Sequence, residues 1–142
     1  MIDSTNNTFF EPLLPVEDRG SGTVESAAFD LSAVEGDVHL LLDARNTSGT
    51  NPTWTLTVEH RAEASDPWSA VPAAALYDPA TGQTAAFTPV GTTPGSQRRA
   101  LRRDRLKAQL RVVSTIGGTS TPKFSGGVYV VAPRKYAAGW DQ

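Results

Sequence analysis

The 142-residue chain contains no cysteine, which excludes a disulfide framework, a cysteine-ligated zinc site and a thiol nucleophile. Histidine is nearly as scarce: His39 and His60 are too few to build a histidine metal centre. No run of the roughly eighteen apolar residues that a membrane-crossing helix requires is present. The opening "MIDSTNNTFFEPLLPVEDRG" has neither a basic leader nor an apolar core of signal-peptide length. These absences predict a soluble protein, made or assembled in the cytoplasm and without membrane association. Segments long enough for a helix are lacking too, because ten prolines and twelve glycines are spread as punctuation between short apolar runs. That pattern predicts an all-β domain.

The apolar runs give the strands. Residues 53 to 59, "TWTLTVE", alternate strictly, placing Trp54, Leu56 and Val58 on one face and the threonines with Glu59 on the other. "VHLLLDA" at 38 to 44 is more continuously apolar, as expected of a strand in the middle of a sheet or buried on both faces. "RLKAQLRVVST" offers Leu106, Ala108, Leu110 and Val112 at period two, and "KFSGGVYVVA" offers Phe124, Gly126, Val128 and Val130. The Gly126-Gly127 pair inside that last run marks a bulge or a close backbone approach. With a first strand near Thr23 and shorter candidates at 68 to 72 and 83 to 89, the count is seven or eight. The expected fold is a single antiparallel β-sandwich, jelly-roll or Ig-like.

One pattern is written twice. Residues 40 to 58 and 110 to 130 each read as apolar run, Gly-Thr-polar-Pro segment, apolar run, with Gly49-Thr50-Asn51-Pro52 matched by Gly118-Thr119-Ser120-Thr121-Pro122. Glycine supplies positive φ and proline fixes the chain after it. Each unit is therefore expected to be hairpin-like, one in each sheet or the two paired across it.

Outside a sandwich at 22 to 133 lie two flanks. Residues 1 to 21 carry Phe9, Phe10, Leu13 and Leu14 around Pro12 and Pro15, which forbid a helix interior and predict an extended arm. Residues 134 to 142 form a tail with Tyr136 and Trp140 as apolar anchors. Charge is unevenly spread: residues 1 to 97 hold 13 acids and 3 bases, residues 98 to 142 hold 2 acids and 10 bases. Most of the bases crowd "QRRALRRDRLKAQLR", in Arg98, Arg99, Arg102, Arg103, Arg105, Lys107 and Arg111. Three readings stay open: a solvated face paired with the chain's own acids, a footprint for an acidic partner subunit, or a nucleic-acid surface. The last is disfavoured because no aromatic residue for base stacking lies between Phe87 and Phe124.

Catalytic patterns are missing. Glu59 and His60 are neighbours in a strand and point to opposite faces. No Gly-x-Ser-x-Gly, P-loop or calcium loop occurs. Glu35-Gly36-Asp37 and "DPATGQ" at 78 to 83 read as turns, and the sequons at Asn6 and Asn46 carry little weight without a secretory signal. Trp54, Trp68 and Trp140 could form a sugar-stacking platform, but Trp54 is in phase with the core and Trp68 begins a strand after a Ser-Asp-Pro turn. No catalytic residue, metal or cofactor is expected.

Residues 23 to 135 resemble a group of small β-sandwich proteins encoded among the structural genes of tailed bacteriophages. The pieces that carry the resemblance are the Gly36-Asp37 turn, the Gly-Thr-Asn-Pro segment before Trp54, "VEHRAEASDPWSAVP" and "LRVVSTIGGTSTP". The arginine run at 98 to 105 and the long N-terminal arm depart from that pattern. The resemblance implies a non-enzymatic virion protein on the capsid surface, a decoration or cement protein that binds the major capsid protein and other copies of itself, not nucleic acid. On that expectation Phe9, Phe10, Leu13 and Leu14 dock on a neighbour, Arg98, Arg99, Arg102, Arg103 and Arg105 meet its carboxylates, and Tyr136 and Trp140 add tail contacts. The alternatives are a head-tail connector or tail component, and a carbohydrate-binding sandwich for host-surface adhesion.

Overall fold

A computed structural model describes residues 8 to 135. It contains β1 (Thr8–Gly20), β2 (Gly22–Glu25), β3 (Phe29–Asp30), β4 (Val38–Arg61), β5 (Ser69–Ala70), β6 (Leu76–Tyr77), β7 (Gly95–Leu101) and β8 (Gln109–Pro133), with short 3-10 turns at Ala73–Ala75 and Arg103–Arg105. The strands join in one antiparallel, sandwich-like sheet whose main path is β1-β8-β4-β7-β6; β2 and β3 pair with β8, and β5 with β4. The all-β expectation holds.

The repeated pattern is the backbone of this architecture, although not as hairpins. β4 and β8 pair with each other along their whole length, from His39↔Val131 to Arg61↔Gln109. The Gly-Thr-Pro segments do not reverse either strand. They bend both at the same level, where the register slips between Asn46 and Thr53 and where Gly49, Asn51, Gly118, Ser120 and Thr121 take positive φ. The two segments are each other's packing partner. A Cβ on Gly49 would sit 2.6 Å from the Pro122 Cα, and one on Gly118 would sit 3.0 Å from the Pro52 Cα. Each glycine makes room for the other segment's proline, which is why the pattern occurs twice.

Parity is kept through the bend, so the even-numbered face of both halves lines one core. Leu40, Leu42, Val128 and Val130 come from one half, and Leu56, Val58, Leu110 and Val112 from the other. Trp54 and Phe124, both fully buried, meet edge to face at the corner with ring centroids 5.7 Å apart. Trp54 is as expected in the core, where its indole N–H has no partner among the described residues. Its backbone is instead held by reciprocal hydrogen bonds with Val90, at 2.8 and 2.9 Å.

Several expectations are corrected. Residues 83 to 89 form no strand, contributing only an isolated bridge from Thr84 to Tyr77. The strand expected from Leu106 begins at Gln109. β7 has no sequence signal, because "GSQRRAL" does not alternate; the arginine run itself, open in sequence between strand and helical turn, is part strand, at 98 to 101, and part 3-10 turn. The N-terminal arm is extended, but from Thr8 onward it is the sheet's edge strand, paired with β8 from Thr8↔Pro133 to Gly20↔Lys123. Pro12 and Pro15 are accommodated because an edge strand has one side free of partners, and the register shifts fall around them. Arg19 fastens the bulged stretch: its buried guanidinium donates to the carbonyls of Pro15 and Gly126.

A candidate partner-binding face

The two halves turn very different outer faces to solvent. On the half built from β2, β3, β5, the start of β8 and the end of β4, the outer positions are polar and satisfied within the chain. Arg111 pairs with Glu59 at 2.6 Å and with Glu25 at 2.7 Å, and Thr23 bonds Thr115 at 3.3 Å. Trp68 is half-buried beneath the guanidinium groups of Arg61 and Arg111, 4.2 and 4.6 Å from its ring centre. With Trp54 buried as well, neither tryptophan offers an open ring for sugar stacking.

The outer face of the other half carries an apolar stripe. Register places Phe10 beside Val131 and Pro12 beside Tyr129, Val131 beside His39 and Tyr129 beside Leu41, and Leu41 beside Arg98. Phe10 is 63% exposed, and its ring lies on Tyr129 with centroids 5.5 Å apart. The stripe runs into an open pocket of about 670 Å³ whose lining includes Leu41, Val131, His39, Tyr77, Asp37 and Arg98. The Leu40-Leu41-Leu42 run inside "VHLLLDA" is therefore unbroken for two reasons. Leu40 and Leu42 face the core, and Leu41 faces outward into this stripe.

The polar rim is ordered. Asp37 accepts from the Tyr77 hydroxyl at 2.5 Å and from the Arg103 backbone N–H at 3.2 Å; this hydrogen bond and burial raise the Tyr77 pKa. Arg102 covers the Tyr77 ring at 4.6 Å. Arg98 is exposed, and its Nε and Nη2 lie 3.3 Å from the His39 Nδ1. Burial, then the Arg98 charge, lowers the His39 pKa from 6.5 against an opposing pull from Asp37. The ring is neutral near pH 7, with Nδ1 accepting from Arg98 and the proton on Nε2.

The expected site residues are scattered. Leu14 is in the core, and Phe9 and Leu13 pack against it; of the four arm residues, Phe10 alone is strongly exposed. Arg103 turns inward, donating to the carbonyls of Leu31 and Leu106 at 3.1 and 3.3 Å. Arg99 donates to the Ala86 carbonyl at 3.0 Å, and Arg105 stands exposed on the 3-10 turn. The basic run is thus no continuous surface. Tyr136 and Trp140 lie outside the described residues. Leu41, Tyr129 and Val131 were not singled out in the sequence; the available signal was that these three are large apolar or aromatic residues at outward positions, where residues 53, 55 and 57 are threonine.

His60 shows why no acid-base pair forms with Glu59. It points inward, buried, with Nδ1 accepting the Lys107 backbone N–H at 3.1 Å, while Glu59 points outward to Arg111. Burial and Lys107 lower its pKa from 6.5. A histidine held below its unfolded value leaves stability untouched above pH 6.5 and lowers it as the pH falls through 6.5, where the unfolded chain takes up protons first. The melting temperature is therefore expected to fall between pH 7 and pH 5. His60→Gln, whose amide oxygen can still accept from Lys107, should flatten that slope; an unchanged slope would remove His60 as its source.

Among the described residues no group of three or more histidine and acidic side chains could hold a metal ion, and no helix is long and apolar enough to cross a membrane. In comparisons with protein-family models, curated proteins and solved structures, no match to this chain is found.

Proposed function

We propose that the protein is a non-enzymatic structural component of a phage virion, a decoration or cement protein that binds the shell of major capsid protein from outside and contacts further copies of itself. The observation that carries this reading is the contrast between the two outer faces: one polar and satisfied within the chain, the other crossed by an open apolar stripe with arginine at its rim. It joins the resemblance of residues 23 to 135 to virion β-sandwiches. The exposed Phe10 ring on the half-buried Tyr129, continuous with Leu41 and Val131, is a surface that gains by being covered. A protein that binds only the closed shell stabilises it by mass action, because opening the shell must also release the bound copies. In that role the chain acts by binding, and no catalytic group or cofactor takes part.

Binding of the purified chain to particles stripped of it tests the proposal. Phe10→Ala together with Tyr129→Ala should weaken binding at least about tenfold, as loss of aromatic interface anchors does, with the fold intact because both rings lie outside the core. Undiminished binding of the double variant would sink the assignment of this face. Density for the chain at the neck or tail rather than on the shell would replace decoration with a connector role.

A further inference from the structure

We propose that the pocket beside β1, β4 and β7 receives a carboxylate side chain of a partner polypeptide on Arg98 and His39, with the apolar residue next to it lying on Leu41 and Val131. This rests on the proposed role as a protein-binding sandwich and names the chemistry by which that face selects its partner.

Arg98 carries a charge that no acidic side chain among the described residues pairs with. Among the described residues the ion pairs join Arg19 to Glu17 and Arg111 to Glu25 and Glu59; none reaches Arg98. Its contact is His39, a neutral acceptor that orients the guanidinium without cancelling its charge. That contact uses the Nε–Nη2 edge, so Nη1 and the outer proton of Nη2 remain for the paired hydrogen bonds that guanidinium groups make with carboxylates. His39 adds a second donor, because with Nδ1 engaged its proton is on Nε2, which has no hydrogen-bond partner among the described residues.

Among the described residues, the one carboxylate lining the pocket is already committed. Asp37 has one oxygen on the Tyr77 hydroxyl and the other on the Arg103 N–H, and Arg102 above Tyr77 brings further positive charge to the rim. The floor supplies the second half of the recognition, since Leu41 and Val131 continue the stripe of Phe10 and Tyr129. An acidic residue beside an apolar one on an extended or loop segment fits both halves. A phosphate or a lone small anion would leave the apolar floor uncovered.

The isolated 142-residue chain tests this by NMR, with the arginine and histidine side-chain signals followed during titration with acetyl-Leu-Glu-amide, acetyl-Leu-Gln-amide and acetate. The glutamate peptide should shift the Arg98 and His39 signals saturably, and the glutamine peptide should bind at least about tenfold more weakly, as expected when hydrogen bonds to a charged group are lost. Arg98→Gln should remove the preference for glutamate, whereas Arg105→Gln, on the exposed 3-10 turn, should keep it. Equal binding of the two peptides, no saturable shift with either, or acetate binding as tightly as the glutamate peptide would each overturn the proposal, the last by reducing the pocket to a small-anion site. No particle enters this experiment, so its failure leaves capsid binding to be judged by the particle assay, and failure there leaves carboxylate selection standing.

Discussion

Gly126→Ala is expected to lower folding stability by more than about 3 kcal/mol, the upper end of the usual range for overpacking. Gly126 sits in β8 where the strand is flanked on both sides, opposite Ala44 of β4 and Glu17 of β1. A Cβ there would fall on the Asp43 carbonyl oxygen and lie 3.0 Å from the Ala44 Cα; one on Gly127 would fall on the Leu14 carbonyl oxygen and lie 2.9 Å from the Val16 nitrogen. All of these are backbone atoms, and no rotamer change can move them aside. Either β4 or β1 must be pushed off β8, and displacing β1 also strains the Arg19 bond to the Gly126 carbonyl. In urea, where m is about 1–3 kcal/mol/M, such a loss moves the midpoint down by about 1 M or more. Gly20→Ala, where a Cβ meets nothing within 4 Å, should stay within about 0.5 kcal/mol of the parent. Equal midpoints for the two variants would rule out the close passage of three strands at Gly126.

That glycine pair was legible in the sequence because its signal is local. Two glycines inside an apolar alternation have few explanations, and the same holds for the Thr-x-Thr alternation that put Trp54 in the core. The bend was not legible, because it depends on a partner about seventy residues away. A Gly-Thr-Asn-Pro segment reverses the chain when nothing faces it, and bends it when an equivalent segment presses a proline into the space above its glycine. The N-terminal strand was hidden for a related reason. Two prolines argue against a central strand and say nothing against an edge, and only the neighbour decides which applies. For the candidate face, the sequence offered the outward leucine, tyrosine and valine without showing that Leu41, Tyr129 and Val131 lie side by side. The arginines misled in the opposite direction: adjacent in sequence, they are sent by strand and turn geometry to carbonyls, aromatic rings and opposite outer faces.

Removal of residues 1 to 20 is expected to abolish cooperative folding rather than release an intact sandwich lacking its arm. β1 supplies Leu14, 3% exposed, and the partial lid of Phe9, which meets Phe29 edge to face at 5.7 Å and lies under Arg134 at 4.5 Å. Truncating one such buried leucine to alanine destabilises by about 2–5 kcal/mol. The deletion adds to this the loss of the whole ladder with the second half of β8 and of the Arg19 contacts, against a total stability of about 5–15 kcal/mol for a domain. The uncovered edge of β8, from Lys123 to Pro133, would also present unpaired backbone groups beside Tyr129 and Val131, a template for association between chains. Circular dichroism and size exclusion should therefore find aggregates or no sharp thermal transition. A soluble truncated chain with a cooperative melt would return residues 8 to 20 to the status of a detachable arm, and with it the idea that Leu13 and Leu14 dock on a neighbour. With β1 inside the fold, lost particle binding on deletion reports only lost structure. The burden of testing the face passes to Phe10, which points outward from the same strand and can be cut back to alanine without opening the core.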